Sequence, residues 1–232
     1  MPDTANRLSP STVHTIGNTP IVQLRRIVPN NCADVLVKLE YFNPTGSYKD
    51  RMALSMVEEA EKRNELRPGM TIVEYTGGST GSSLAFVCAV KGYNFRVVSS
   101  DAFAEEKLDT MRAFGAELEI IPSLNGKITP DLIPRMIERA KSIAQTDNTY
   151  FTNQFNNADI LKGHAQIGYE MLQQVAHPID AFCGGVGTAG MLMGVAHALR
   201  ETDTQTSIVA LEPSTSAIIS TGKPGTHHVE GI

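Results

Sequence analysis

Three loops of this 232-residue chain combine glycine with side chains that could do chemistry. The first, residues 43–51, reads NPTGSYKDR and places Lys49 where a loop that turns on Pro44 and Gly46 enters a helix. The positive end of a helix dipole disfavours an ammonium ion, so a desolvated lysine there would be a nucleophilic amine. The alternative is an ordinary solvated lysine, with Asp50 serving as a helix cap.

The second loop, residues 76–81, reads TGGSTG and lies between a predicted strand and a predicted helix. Its exposed amides, its hydroxyl groups and a helix N-terminus together could bind a carboxylate or a phosphate without a basic side chain. An ordinary turn with Ser79 or Thr80 as N-cap is the alternative. The two consecutive glycines favour a binding site.

The third loop, residues 184–190, reads GGVGTAG and also joins a predicted strand to a predicted helix. It contains the GxGxxG pattern, and Glu212 ends the next predicted strand, as in a Rossmann half that binds NAD. The same loop would equally hold the phosphate of a smaller cofactor. An NAD-dependent oxidoreductase therefore stays open on this pattern.

Composition excludes several classes of protein. Lys and Arg number 20 against 25 Asp and Glu, and the net charge of −5 offers no basic surface for nucleic acid or an anionic membrane. The longest apolar stretches are too short to span a bilayer, and the N-terminus lacks the apolar region of a signal peptide. Cys32, Cys88 and Cys183 are far apart and show no metal-binding spacing. These features predict a cytoplasmic protein that binds no metal.

Alternating strands and helices position the three loops. Short β-branched runs alternate with amphipathic segments, which predicts an α/β fold with a mostly parallel sheet. The predicted strands are 33–39, 71–75, 95–99, 118–121, 179–183 and 207–211, and Tyr150 to Thr152 is strand-like. The predicted helices are 50–64, 82–91, 104–114, 130–144, 158–175, 191–201 and 213–220. A domain boundary is expected within residues 145–150.

Six motifs, taken in order, resemble one enzyme family. They are IGNTPIVQL (16–24), KLEYFNPTGSYKDR (38–51), EYTGGSTGSSLAF (74–86), NQFNNAD (153–159), GGVGTAGMLMG (184–194) and ALEPSTS (210–216). The set is similar to the fold type II pyridoxal-phosphate enzymes of the cysteine synthase and cystathionine β-synthase family. The resemblance implies two three-layer αβα domains with mostly parallel sheets, as in the tryptophan synthase β-subunit. Residues 1–148 would carry the lysine loop and a mobile substrate-carboxylate subdomain, and residues 149–232 an incomplete cofactor-phosphate domain.

The resemblance also implies roles for individual residues. Lys49 would bind pyridoxal 5'-phosphate covalently and act as the general base. The cofactor would further be held by Ser79, Gly185, Gly187, Thr188, Ala189 and Gly190. The substrate carboxylate would be held by Thr76, Gly77, Ser79, Thr80 and Gln154, while Asn43 and Thr45 shape the lysine loop.

The implied reaction is β-replacement on a serine-derived amino acid, with cysteine synthesis from O-acetylserine and sulfide as the first choice. β-Elimination, or another β-replacement of the cystathionine β-synthase type, is the alternative, and a binding subunit without activity is a third reading. The family resemblance also implies a homodimer.

Three departures from the family pattern stand out. The carboxylate loop of the family reads TSGNTG, whereas this chain has Gly77 and Ser79 in place of Ser and Asn. In the phosphate loop Met191 replaces a Thr, which removes a hydrogen bond of about 1.5–3 kcal/mol to a charged acceptor. Family members also continue beyond Ile232, so we expect a truncated chain without the residue that meets the pyridine nitrogen.

Overall fold

The computed structural model describes residues 8–202, 205–227 and 229. Within them, helices and strands alternate as the sequence predicts. The strands are β1 (Ile21–Leu24), β2 (Val35–Lys38), β3 (Thr71–Tyr75), β4 (Asn94–Ser100), β5 (Glu117–Ile121), β6 (Thr149–Phe151), β7 (Ala181–Gly185) and β8 (Ser207–Leu211). The helices are α1 (Lys49–Lys62), α2 (Ser79–Lys91), α3 (Glu105–Ala113), α4 (Leu132–Ala144), α5 (Asp159–Gln174), α6 (Gly190–Glu201) and α7 (Ile218–Thr221). Short 3-10 turns cover Thr12–Thr15 and Glu40–Phe42.

Four differences from the predicted elements have physical causes. Helix α2 begins three residues earlier than predicted because Gly78, in an extended conformation, is its N-cap, so the alternative with Ser79 or Thr80 as N-cap is wrong. Strand β7 continues to Gly185 because it pairs with β8 through that residue. Strand β1 was not predicted and pairs antiparallel with β2. Helix α7 begins at Ile218 rather than 213, since the Glu212 carboxylate accepts hydrogen bonds from amides of its first turn.

The largest sheet is parallel, with the strand order β5-β4-β3-β6. Its side chains alternate between two apolar clusters. Ile72 and Val97 pack in the cluster that contains buried residues of α1 and α2, whereas Val73 and Val98 pack with the buried face of α4. Helices therefore cover both faces of the sheet, which confirms the three-layer αβα architecture.

The order of strands creates a switch point beside β3. The chain proceeds from β3 outward to β4 and β5, and later returns to place β6 on the opposite side of β3. In open parallel sheets, ligands bind at such a point, in the crevice outside the carboxyl ends of the strands. The loop after β3, which begins at Thr76, and the segment after β6 lie at this edge.

Helix α5 packs closely against both α1 and α6. A Cβ atom on Gly163 would lie 2.5 Å from the Arg51 carbonyl oxygen of α1, and one on Gly194 of α6 would lie 2.7 Å from the Leu161 carbonyl oxygen. Glycine at both positions lets α1 and α6 approach the backbone of α5. Beyond α6, β7 and β8 form a separate two-stranded parallel sheet. The domain division at residues 148 and 149 stays a prediction.

A buried carboxyl group fastens β6 to β3. Glu74 is fully buried on β3, and its Oε1 accepts a hydrogen bond from the Tyr75 amide at 2.8 Å. Its Oε2 accepts from the Thr152 hydroxyl at 2.8 Å and from the Gln154 amide at 2.9 Å. Burial raises the pKa of Glu74 to about 7, although these three hydrogen bonds act in the opposite direction. The segment after β6 is thus held against the end of β3.

Titration of Glu74 should make stability depend on pH. The folded chain keeps the Glu74 proton up to a pKa of about 7, whereas the ordinary value is 4.5, so the folded state binds more protons between these values. The free energy of unfolding should therefore fall as pH rises through this window, by up to roughly 3 kcal/mol. Glu74→Gln should remove that slope in urea unfolding at pH 5 and pH 7.5, while exposed Glu65→Gln keeps it. Parallel pH profiles for wild type and Glu74→Gln would contradict the assignment.

Candidate active site

The lysine loop delivers a buried amine to the start of α1. The loop turns at Gly46, whose φ is +75° and whose amide donates to the Asn43 carbonyl at 2.8 Å. Lys49 is the first residue of α1 and only 8% of it is exposed. Its Nζ lies 4.6 Å from the centroid of the Tyr48 ring and donates a hydrogen bond to no residue in the described ranges. The interpretation of Lys49 as a solvated surface residue is therefore wrong.

Asp50 clamps this loop rather than capping the helix. Its carboxylate accepts hydrogen bonds from the Thr45 amide at 2.8 Å and from the Thr45 hydroxyl at 2.5 Å. The Thr45 hydroxyl also lies 3.3 Å from the Ser83 hydroxyl on α2. Burial raises the pKa of Asp50, and the hydrogen bonds oppose that rise. The lysine loop is therefore fastened both to α1 and to the helix that follows the second loop.

Arg51 anchors the same turn of α1 to α5. Its guanidinium donates to Glu40 at 2.7 Å and to Glu170 of α5 at 2.6 Å, and Lys38 of β2 also binds Glu170 at 2.6 Å. Burial opposes ionisation of Glu170, but the hydrogen bonds from Arg51 and Lys38 lower its pKa to about 2. The network holds together β2, α1 and α5 around Lys49.

The second loop meets Gln154 across the switch point. The Thr80 hydroxyl donates to Gln154 Oε1 at 2.8 Å, and Gln154 Nε2 donates to the Tyr75 carbonyl at 3.3 Å. Gly78 faces open space, because a Cβ atom there would have no neighbour within 4 Å. The structure therefore brings together Thr80 and Gln154, two of the residues predicted to hold a carboxylate, beside an open loop and a helix N-terminus.

The third loop forms a tight turn at the start of α6. Gly185 ends β7, Ala189 adopts a left-handed φ of +62°, and Gly190 begins the helix. Within the described part of the chain, no acceptor meets the amides of residues 187–189 or the hydroxyl of Thr188. A Cβ atom on Gly190 would lie 2.7 Å from Ile160 Cδ1, so glycine lets α6 begin directly against α5. These free donors at a helix N-terminus suit a phosphate.

His164 is a buried polar residue that the sequence analysis did not select. It is fully buried on α5, its ring lies 5.4 Å from the Tyr48 ring, and neither nitrogen has a partner in the described residues. Burial, with the nearby charges of Lys49 and Arg51, lowers the pKa of His164 to about 3, so the imidazole is neutral. His164 lies beside Lys49 only because α1 packs against α5. In the sequence, the preceding residue, Gly163, is a signal that the two helices approach closely.

The remaining sequence candidates are placed elsewhere. Glu212 is the acidic residue of the NAD-binding alternative. Its carboxylate instead accepts hydrogen bonds from two amides of α7 and from the Ser220 hydroxyl. Among residues 8–202, 205–227 and 229, no three His, Cys, Asp or Glu side chains converge as a metal site. No helix in that part of the chain is long and apolar enough to cross a membrane.

Comparisons with known proteins agree with this geometry. The family model described as "Pyridoxal-phosphate dependent enzyme" matches residues 13–231. The cysteine synthase of Staphylococcus aureus is 42% identical over 219 residues, which cover 94% of this chain and 69% of that protein.

Two solved structures are also similar. The crystal structure of O-ureido-L-serine synthase gives a TM-score of 0.90 at 37% identity and covers 97% of this chain and 70% of its own. The cysteine synthase of Entamoeba histolytica gives 0.90 at 33% identity and covers 100% of this chain and 69% of its own. This chain belongs to the pyridoxal-phosphate-dependent enzymes, in the cysteine synthase family.

Proposed function

We propose that this enzyme catalyses β-replacement on an O-substituted L-serine, and that its reaction is cysteine synthesis from O-acetylserine and sulfide. The buried amine of Lys49, which has no hydrogen-bond partner in the described part of the chain, is the observation that carries the proposal. Two loops at helix N-termini accompany it: the second loop suits a carboxylate, and the third loop, with the free amides of residues 187–189 in the described part of the chain, suits a phosphate. The names of the Staphylococcus aureus and Entamoeba histolytica relatives support cysteine synthesis as the specific reaction.

The residues present fit pyridoxal phosphate. Lys49 offers an amine for its aldehyde, and the amides of residues 187–189 with the Thr188 hydroxyl offer unused donors for its phosphate. We propose that the residues holding the cofactor are Lys49, Ser79, Gly185, Gly187, Thr188, Ala189 and Gly190. When bound, the cofactor supplies an electron sink for negative charge at the substrate α-carbon.

The protein side chains then perform two tasks. Lys49 Nζ, once free, takes the proton from the substrate α-carbon as general base. The substrate carboxylate is proposed to bind at Thr76, Gly77, Ser79, Thr80 and Gln154, where the dipole of α2 favours an anion. Because Thr80 and Gln154 already bond to each other at 2.8 Å, their side chains are partly ordered before substrate arrives.

A β-replacement with a different nucleophile, of the cystathionine β-synthase type, is the second candidate. Gly77 and Ser79 favour it, since they alter two positions of the loop proposed to hold the substrate. β-Elimination uses the same residues. The homodimer and the cytoplasmic location stay predictions.

Lys49→Ala should abolish turnover without unfolding the chain. Loss of the general base alone should lower kcat by roughly 100- to 10,000-fold, because proton transfer at the α-carbon has no substitute. Steady-state kinetics with O-acetylserine and sulfide, alongside the thermal midpoint Tm, measure this. Lys127→Ala, on an exposed loop, is the matched control and should behave as wild type. Turnover by Lys49→Ala within tenfold of wild type would exclude Lys49 as the base.

Ser79→Asn should shift substrate preference. Ser79 lies half-buried in the first turn of α2, and Asn offers two N–H donors where Ser offers one O–H donor. We expect kcat/KM for O-acetylserine relative to O-phosphoserine to change by about tenfold, the value of one hydrogen bond. Ser142→Asn, exposed on α4, controls for the added amide. An unchanged ratio in Ser79→Asn would mean that Ser79 does not face the substrate.

A further inference from the structure

An aromatic ring explains why this chain has glycine at position 77. A Cβ atom on Gly77 would lie 2.0 Å from Phe103 Cγ and 2.2 Å from both Cδ atoms. These nearly equal distances mean that the glycine meets the face of the ring rather than its edge. No side chain fits at position 77 while Phe103 stays in place. Glycine in place of the family's serine at position 77 is thus what makes room for the Phe103 ring.

The topology of the sheet brings Phe103 to the substrate loop. Phe103 lies in the turn between β4 and α3, and its amide donates to the Ser100 carbonyl at 3.2 Å. Strand β4 is the parallel neighbour of β3, so the segments after both strands emerge at the same edge of the sheet. The ring is partly buried and packs with the cluster that contains Tyr75. Packing against this cluster therefore holds the Phe103 ring in place.

The two glycines of the loop have different surroundings. Gly77 is covered by the Phe103 ring, whereas Gly78, the N-cap of α2, faces open space. The Phe103 ring therefore lies against the residue that adjoins this open space, next to the proposed carboxylate site.

We propose that Phe103 is a specificity-determining residue, which with Gly77 forms an apolar wall beside the substrate β-carbon and lets thiols with an apolar body react alongside sulfide. The proposal rests on the β-replacement function given above. In the reaction, the bond from the β-carbon to the acetate oxygen breaks and acetate leaves with the electron pair. The thiol sulfur bonds to the β-carbon, and its proton is released to solvent.

The first experiment compares two nucleophiles in the holoenzyme. For O-acetyl-L-serine, kcat/KM with 1-propanethiol is divided by kcat/KM with sulfide. Phe103→Ser should lower this ratio by about tenfold or more, as expected when a few methylene groups lose an apolar contact, and Phe103→Leu should largely preserve it. Leu124→Ser, the same kind of change at an exposed position, should leave the ratio unchanged.

The second experiment tests the pairing itself. Gly77→Ser should lower both Tm and kcat/KM for either nucleophile, because the new side chain overlaps the ring. Adding Phe103→Ala to Gly77→Ser should restore Tm and kcat/KM with sulfide, but not the wild-type ratio of kcat/KM with propanethiol to kcat/KM with sulfide. Failure of the double variant to recover would mean that the ring does not cause the defect, which overturns the pairing.

The outcomes separate the two proposals. If wild type turns over O-acetylserine with both nucleophiles and Phe103→Ser keeps the ratio, the role of Phe103 is wrong while the β-replacement function stands. If wild type uses neither nucleophile with any O-substituted serine, the β-replacement function is wrong and the role of Phe103 falls with it.

Discussion

A buried lysine amine that has no hydrogen-bond partner among the described residues is the constraint around which this site is built. Only 8% of Lys49 is exposed, and the carboxylates of the residues around it are engaged by other groups. Asp50 accepts from Thr45, while Glu40 and Glu170 bind Arg51. Lys49 is left with an aromatic ring and a neutral imidazole as neighbours. An amine in such surroundings is suited to covalent chemistry with a carbonyl group.

Two separate features of the fold build a site around Lys49. The first is the switch point beside β3, where Glu74 holds the segment after β6 and so sets Gln154 against Thr80. The second is the close packing of α5 against α1 and α6, which requires glycine at positions 163 and 194. The first feature organises the end of the site proposed to bind a carboxylate, and the second relates the lysine to the turn proposed to bind a phosphate. The Phe103 ring then shapes the space beside the carboxylate loop.

Local patterns in the sequence were sufficient for the three loops and most of the elements. The runs TIVEY and SIVAL have the same bounds in the structure as in the prediction, because β-branched residues between turn residues mark strands clearly. The start of α2 was misplaced, since Gly78 caps it without a side-chain hydrogen bond. Glu74, Phe103 and His164 went unselected because their importance comes from contacts between distant segments. Nothing in the residues around Phe103 indicates that its ring covers Gly77.

The covalent attachment of the cofactor at Lys49 is the central claim, and peptide mapping tests it most directly. Wild-type protein is incubated with pyridoxal phosphate, reduced with borohydride, digested with trypsin and analysed by mass spectrometry. Our account predicts one modified lysine, in a peptide that begins at Leu39 and continues past Lys49 because the modified residue resists cleavage. Modification at a different lysine, or none at all after incubation with excess cofactor, would contradict it.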